Sequence, residues 1–124
     1  MKVICVNQDS KQLKNLKREV RIIVPDAKIA LCKCPQDAVK RAQGRGCDVL
    51  LTETDFPGMD TDGFELARQM QEINPRVNII YITKSPDLDS AYKAFQVFAS
   101  GYLVLPYEPA RLADKFANLR FPIV

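Results

Sequence analysis

Cys47-Asp-Val-Leu-Leu-Thr-Glu-Thr-Asp-Phe-Pro-Gly-Met-Asp60 joins two kinds of chemistry in fourteen residues. Asp48 to Thr52 is a short apolar run, the pattern of a buried strand. Phe56 to Asp60 carries Pro and Gly turn chemistry and cannot prolong that strand. Glu53 stands at the junction, a carboxylate at the carboxyl end of a buried strand. In an open α/β sheet, ligands and chemistry collect along that edge.

Upstream of this stretch, Lys2 to Val6 reads as a first strand. Ser10 is a cap for a helix whose apolar positions Leu13, Leu16, Val20 and Ile23 follow helical spacing, and Pro25-Asp26 ends it. Ala27 to Cys32 makes a second strand. Pro35 suits the first turn of a second helix, with Ala38, Val39 and Ala42 on its apolar face and Gly44 and Gly46 at its stop. Downstream, Asp62 caps a third helix burying Leu66, Ala67, Met70 and Ile73, which Asn74-Pro75 terminates. Val77 to Ile82 is a β-rich strand ending in Thr83. A fourth helix follows Ser85-Pro86-Asp87, with Leu88, Ala91, Tyr92, Phe95 and Phe98 at helical spacing. Tyr102 to Leu105 forms a short fifth strand broken by Pro106, and Glu108-Pro109 opens a last helix with Leu112, Phe116 and Leu119 inward. Five strands alternating with five helices predict an α/β fold, a doubly wound five-stranded parallel sheet covered on both faces.

The 124 residues fit one domain with a single real core. Hydrophobic residues at 47% and charged residues at 27% match a soluble globular chain, and no apolar run is long enough to span a bilayer. The short apolar start before Asn7-Gln8-Asp9 is not a signal peptide, so the chain reads as cytoplasmic. The absence of histidine excludes His-based triads. Cys32-Lys-Cys34 lacks zinc-knuckle spacing, while Cys5 and Cys47 fall in or beside buried strands, so the cysteines read as structural and no metal site is expected. The net charge of +3 is unevenly spread: residues 1–46 hold eleven Lys/Arg against four acids, and residues 47–65 hold six acids and no base. The basic half fits the solvated face of the first helix (Lys11, Lys14, Lys17, Arg18, Arg21), so direct binding of nucleic acid by this domain is not expected.

Phe56-Pro-Gly-Met-Asp60, Ile82-Thr83 and Ala99-Ser-Gly-Tyr-Leu-Val-Leu-Pro106 together resemble the receiver domains of response regulators, CheY-like signalling modules with a flavodoxin-like (βα)5 fold. The resemblance runs over roughly Lys2 to Leu119, giving a receiver-like domain at 1–119 and the start of a connector toward an output domain at 120–124. It implies a crevice with an acidic Mg²⁺-binding pair after strand one, a phosphoacceptor Asp after strand three, a Thr or Ser after strand four and a Lys after strand five. Here the acidic pair falls on Asn7 and Gln8, with Asp9 third; the phosphoacceptor position is Glu53; the lysine position is Leu105. Thr83 remains, as does Tyr102 at the switch aromatic. Neutral amides do not offset the desolvation of a cation, so Mg²⁺ affinity is expected to be weak or absent and no cofactor is expected. Glutamate is one methylene too long for in-line transfer, and loss of the lysine removes the cation that steadies a phosphoryl group. These departures resemble a pseudo-receiver, a non-enzymatic module working without phosphorylation.

Two readings of Glu53 stay open: a polar residue left at a solvent-facing strand end, or a phosphoryl mimic that accepts a hydrogen bond from Thr83 and lets Tyr102 turn inward. Lys84 is either a solvated loop lysine or a substitute cation reaching Glu53. Among the aromatics, Phe95 reads as core, while Tyr102 and Tyr107 read as partly exposed. By the resemblance, the face of helix four, strand five and helix five makes a homodimer or meets an output domain. Ala99-Ser-Gly-Tyr-Leu and Asn118-Leu-Arg-Phe-Pro resemble receivers of Firmicute-type regulators that continue into a DNA-binding transcriptional activator. The leading expectation is therefore a phosphorylation-independent dimerisation or control module of a transcription regulator. The alternatives are a conventional phosphoacceptor with an atypical site, and a small-ligand module whose pocket is lined by Asn7, Gln8, Thr83 and Leu105.

Overall fold

The computed structural model describes residues 1–123, and its strands and helices alternate throughout. They are β1 (Lys2–Val6), α1 (Ser10–Ile23), β2 (Lys28–Cys32), α2 (Pro35–Arg45), β3 (Val49–Thr52), α3 (Gly63–Ile73), β4 (Asn78–Thr83), α4 (Leu88–Gln96), β5 (Gly101–Val104) and α5 (Pro109–Ala117). All strand pairs are parallel in the order β2-β1-β3-β4-β5. The chain runs outward from β1 to β2, then returns across β1 to β3. The carboxyl ends of β1 and β3 therefore flank the point where the winding reverses, the place a crevice opens in such sheets.

β3 and β4 are buried along their whole length, which explains their unbroken apolar runs. Residues of alternating orientation feed two separate cores. Ile4, Val6, Leu50, Ile79 and Tyr81 face α2 and α3, meeting Ala38, Ala42, Leu66, Ala67 and Met70. Val3, Cys5, Val49, Leu51, Ile80 and Ile82 face α1 and α5, meeting Leu13, Leu16, Val20, Leu112 and Phe116.

Several boundaries differ from expectation by one residue, each for a local reason. Asp9, not Ser10, caps α1: its carboxylate accepts from the Lys11 N–H at 2.9 Å, and Ser10 becomes the first helical residue. Asp62 caps α3 as expected, accepting from Glu65 N–H at 2.8 Å. Ala27 and Val77 lie just before their strands, closing turns with bonds to Val24 O and Asn74 O. Asp48 likewise precedes β3, its carboxylate taking the Lys2 N–H at 2.7 Å.

The larger correction concerns α4. Ala94 is its one buried residue, while Leu88, Tyr92 and Phe95 are 88%, 60% and 76% exposed. Ala91, Ala94 and Val97 form a second stripe at helical spacing, and this smaller stripe turns toward the sheet. Phe95 is therefore not core. Phe98 follows in a left-handed conformation (φ 55°), a strained position for a side-chain-bearing residue.

At the opposite edge from the crevice, the segment after α5 is fastened to the sheet. Asn78, 1% exposed, donates to Phe121 O at 2.9 Å and Asp48 O at 3.3 Å. Its Oδ1 accepts from Phe121 N–H at 2.8 Å and Ser100 Oγ at 3.1 Å. The Arg120 guanidinium lies against the rings of both Phe98 and Phe121, at 4.8 and 4.9 Å from their centroids. Arg120 and Phe121, expected in a connector, thus make ordered contacts with the domain; Val124 of the same expected connector lies outside the described residues.

Candidate functional site

The crevice is an open hollow of about 320 Å³ lined by Asn7, Gln8, Asp9, Glu53, Asp55, Pro57, Lys84 and Ser85. Its first wall is the turn between β1 and α1. Asn7 is buried, and its Oδ1 accepts from the Asp9 N–H at 2.9 Å, a side-chain turn that sets up the helix start. Gln8 Nε2 donates across the crevice to Pro57 O at 3.1 Å, tying this turn to the loop after β3. With Asp9 capping α1, all three residues at the acidic-pair positions bond main-chain groups.

Glu53 continues the ladder by donating its N–H to Val6 O at 3.2 Å, and its side chain is 8% exposed. It is buried, not solvent-facing. Oε1 accepts from the N–H and hydroxyl of Thr54 at 3.0 and 3.2 Å. Oε2 lies 3.4 Å from the Lys84 N–H. The hydroxyls of Thr54 and Thr83 are 3.3 Å apart, and Thr83 Oγ accepts from the Ser85 N–H at 3.0 Å. The Thr54 hydroxyl is within donating reach of both Glu53 Oε1 and Thr83 Oγ, so its single proton is shared between the carboxylate and Thr83. Thr83 thus reaches Glu53 through Thr54, not directly.

Thr54 is the participant that the sequence reading passed over. Its signal was adjacency, because the residue after a strand-end carboxylate can offer both N–H and hydroxyl to it. Gly63 packs behind this turn, donating to Thr54 O at 3.0 Å; a Cβ there would stand 2.1 Å from Glu53 O.

Lys84 does not meet Glu53 through its ammonium. Among the described residues the ion pairs are Arg68 with Glu65 and Glu72, and Lys93 with Asp89. The Glu53 oxygens point at loop donors beneath the surface, whereas the Lys84 side chain is exposed and keeps its charge in water. Leu105 does not line the crevice either. It packs against the α1–α5 core and borders a separate hollow with Gln12, Asn15, Arg18, Glu19, Pro106 and Tyr107. Thr83 is fully buried and also absent from the crevice wall, so the pocket expected from Asn7, Gln8, Thr83 and Leu105 does not assemble.

Tyr102 is half-buried with its ring against the α2–α3 core. Its hydroxyl is shielded from water without a partner at hydrogen-bonding geometry, and burial pushes its phenol pKa up. Tyr107, also half-buried, donates to Glu19 at 3.0 Å. Cys5, Cys32 and Cys47 are buried free thiols and Cys34 is half-buried. Among the described residues no three of His, Cys, Asp and Glu converge as a metal-ion site, and no helix is long and apolar enough to cross a membrane.

The solved receiver domain of a Clostridium thermocellum response regulator superposes with a TM-score of 0.81 at 23% identity, covering 94% of this chain and 91% of that one. The CheY-like receiver domain protein of Methanospirillum hungatei reaches a TM-score of 0.82 at 17% identity, covering 94% and 90%. In sequence, the DNA-binding transcriptional regulator NtrC of Escherichia coli is 39% identical over 61 residues, 49% of this chain and 13% of NtrC. The cyclic di-GMP phosphodiesterase response regulator RpfG of Xanthomonas campestris is 26% identical over 121 residues, 96% of this chain and 32% of RpfG. The chain therefore spans a minor part of the length of these relatives. The family description "Response regulator receiver domain" matches residues 3–117, and the chain belongs to that family.

Proposed function

We propose that this receiver domain signals without accepting a phosphoryl group, with Glu53 holding the crevice in one fixed arrangement. The observation that carries the reading is the hydrogen-bonded cluster that joins the Glu53 carboxylate to Thr54, Thr83 and Ser85. A carboxylate bound in this way is stabilised by short dipoles and needs no neighbouring cation. Thr83 meets the acidic position through the Thr54 hydroxyl and Tyr102 is half-buried against the α2–α3 core; in this reading they are the coupled pair by which a phosphoryl mimic acts.

Mg²⁺ does not fit the donors on this edge. Asn7 Oδ1 and Asp9 Oδ1 each already accept a main-chain N–H, and Gln8 contributes an amide without charge. The module acts in this reading by docking, not by catalysis, inside the cytoplasm. Leu88, Tyr92 and Phe95 of α4, with Val104 of β5, expose an apolar stripe on the face through which a homodimer forms. NtrC is described as a DNA-binding transcriptional regulator, and by analogy the output controlled here is a DNA-binding domain in the full-length protein.

An amide NMR titration with Mg²⁺, then with Mg²⁺ and beryllofluoride, tests the reading. Unchanged resonances at Glu53, Thr54, Thr83 and Tyr102 are expected. Saturable shifts at these residues would replace it with a conventional phosphoacceptor working from an atypical site.

A further inference from the structure

A cluster of cations without ion-pair partners among the described residues lies away from the crevice. Lys2 of β1 and Lys28 of β2 stand directly opposite in the parallel register, on the same face as Ile4 and Ala30. Neighbouring strands are only about 4.8 Å apart, and like charges so placed destabilise a sheet. Arg41 and Arg45 sit one turn apart on α2, a second like-charge juxtaposition. These four residues, with Ile4, Ala30, Gly44 and Gly46, line one hollow of about 350 Å³ between the amino ends of β1 and β2 and the last turn of α2. Among the described residues none of the four cations has a carboxylate within ion-pairing distance. Lys2 Nζ is partly committed, donating to Arg45 O at 2.6 Å and so offsetting the negative end of the α2 dipole. Among the described residues, Lys28, Arg41 and the Arg45 guanidinium make no side-chain hydrogen bond or ion pair.

Gly44, in the last turn of α2, also lines the hollow, and a Cβ there would meet nothing within 4 Å, so this side of the hollow is open.

We infer that this hollow binds a small organic phosphate carrying at least two negative charges and an apolar body, of which a nucleoside diphosphate is the size-matched example. The cations meet the phosphate oxygens, Arg41 and Arg45 in the two-pronged manner that guanidinium allows. Half-buried Ala30 and the aliphatic stems of the lining cations supply apolar contact for the body of the ligand, above the buried Ile4. The volume falls within the range of small-molecule sites, about 300 to 1,000 Å³. Occupancy relieves both like-charge contacts at once, so binding stabilises the α2–β1–β2 corner.

The test titrates the chain separately with inorganic pyrophosphate and adenosine diphosphate, following amide NMR resonances. Saturable shifts are expected at Lys2, Lys28, Gly44 and Gly46, extending to Ile4 and Ala30 with the nucleotide. The Lys28→Ala/Arg41→Ala double variant, which removes repulsion and so should fold at least as well, is expected to weaken binding at least about tenfold. Gly44→Leu is expected to block the nucleotide while leaving the fold intact. Absence of saturation by about 10 mM ligand, equal binding by the double variant, or shifts centred on Glu53 and Thr83 would overturn the assignment. A single-stranded oligonucleotide that outcompetes both ligands and shifts the basic face of α1 would replace it with a nucleic-acid surface.

Discussion

The two ends of one sheet satisfy their buried polar groups in different ways. At the carboxyl end, most bonds are local: Asn7 with Asp9, Asp9 with Lys11, Glu53 with Thr54, Thr83 with Ser85. At the amino end they join distant parts of the chain. Asn78 holds Phe121 and Asp48, Asn74 holds Cys47 O at 3.1 Å, and the Asp48 carboxylate holds the Lys2 N–H. Local bonds persist in a partly open chain and add little to global cooperativity. Distant ones exist only when the fold is complete. Stability should therefore depend more on the amino edge, leaving the crevice free to lose or exchange polar groups.

The largest expected effect is an exception within the crevice. Gly63→Ala places a Cβ at 2.1 Å from Glu53 O, backbone against side chain with nothing flexible to yield, and should cost about 3 kcal/mol or more in urea unfolding. Asn78→Ala comes next. It orphans the N–H and C=O of Phe121 and the Ser100 hydroxyl and should cost about 2–3 kcal/mol, with the midpoint and not the slope changing. Thr54→Val removes only the hydroxyl between Glu53 and Thr83 and should cost about 1 kcal/mol, while shifting the Tyr102 resonances more than those of Phe121. An Asn78 effect smaller than the Thr54 effect would break the contrast.

Alkaline titration sharpens it further. Burial pushes the thiols of Cys5 and Cys47 up to about 12, from an ordinary value of 9.0. The fold holds them neutral, whereas the unfolded chain ionises them earlier. Their contribution is thus fully present below about pH 9 and is lost as pH rises through about 12. The thermal midpoint should fall across that window, and Cys47→Ala should flatten the fall. The smallest effect belongs to α4: Phe95→Ser should change stability by no more than about 0.5 kcal/mol, because the ring is 76% exposed. Sedimentation of the same variant tests whether the exposed stripe holds a dimer together.

The architecture was readable because strand runs, helix spacing and Pro or Asp punctuation agreed along the whole chain. The α4 face was not. Two stripes there share helical spacing, and periodicity alone does not say which turns inward, so the aromatic stripe outweighed the alanines on hydrophobicity. In the crevice, positions were readable while most bonding was not: Asn7, Gln8 and Glu53 lie on the edge where the motif puts them, but Asn7 and Gln8 bond main-chain atoms without a sequence signature, and only the adjacency of Thr54 pointed to a side-chain partner for Glu53. Leu105 illustrates the limit, since a position after β5 does not fix which side of the sheet its side chain takes. Asn78 carried a signal in plain view, an amide at the head of a run of Ile, Tyr and Thr, where a buried polar group implies a partner.

The bond between Asn78 and Phe121 also sets an order of events during synthesis. β4 is complete some forty residues before Phe121 emerges, and until then the Asn78 side chain has only Asp48 O and, once it is made, Ser100 Oγ to bond. A nascent chain that has made only β1 to β4 leaves Asn78 bonded to Asp48 O alone, its Oδ1 without the donors that Ser100 and Phe121 later bring. One side chain set into β4 thus ties the segment after α5 to a strand made some forty residues earlier.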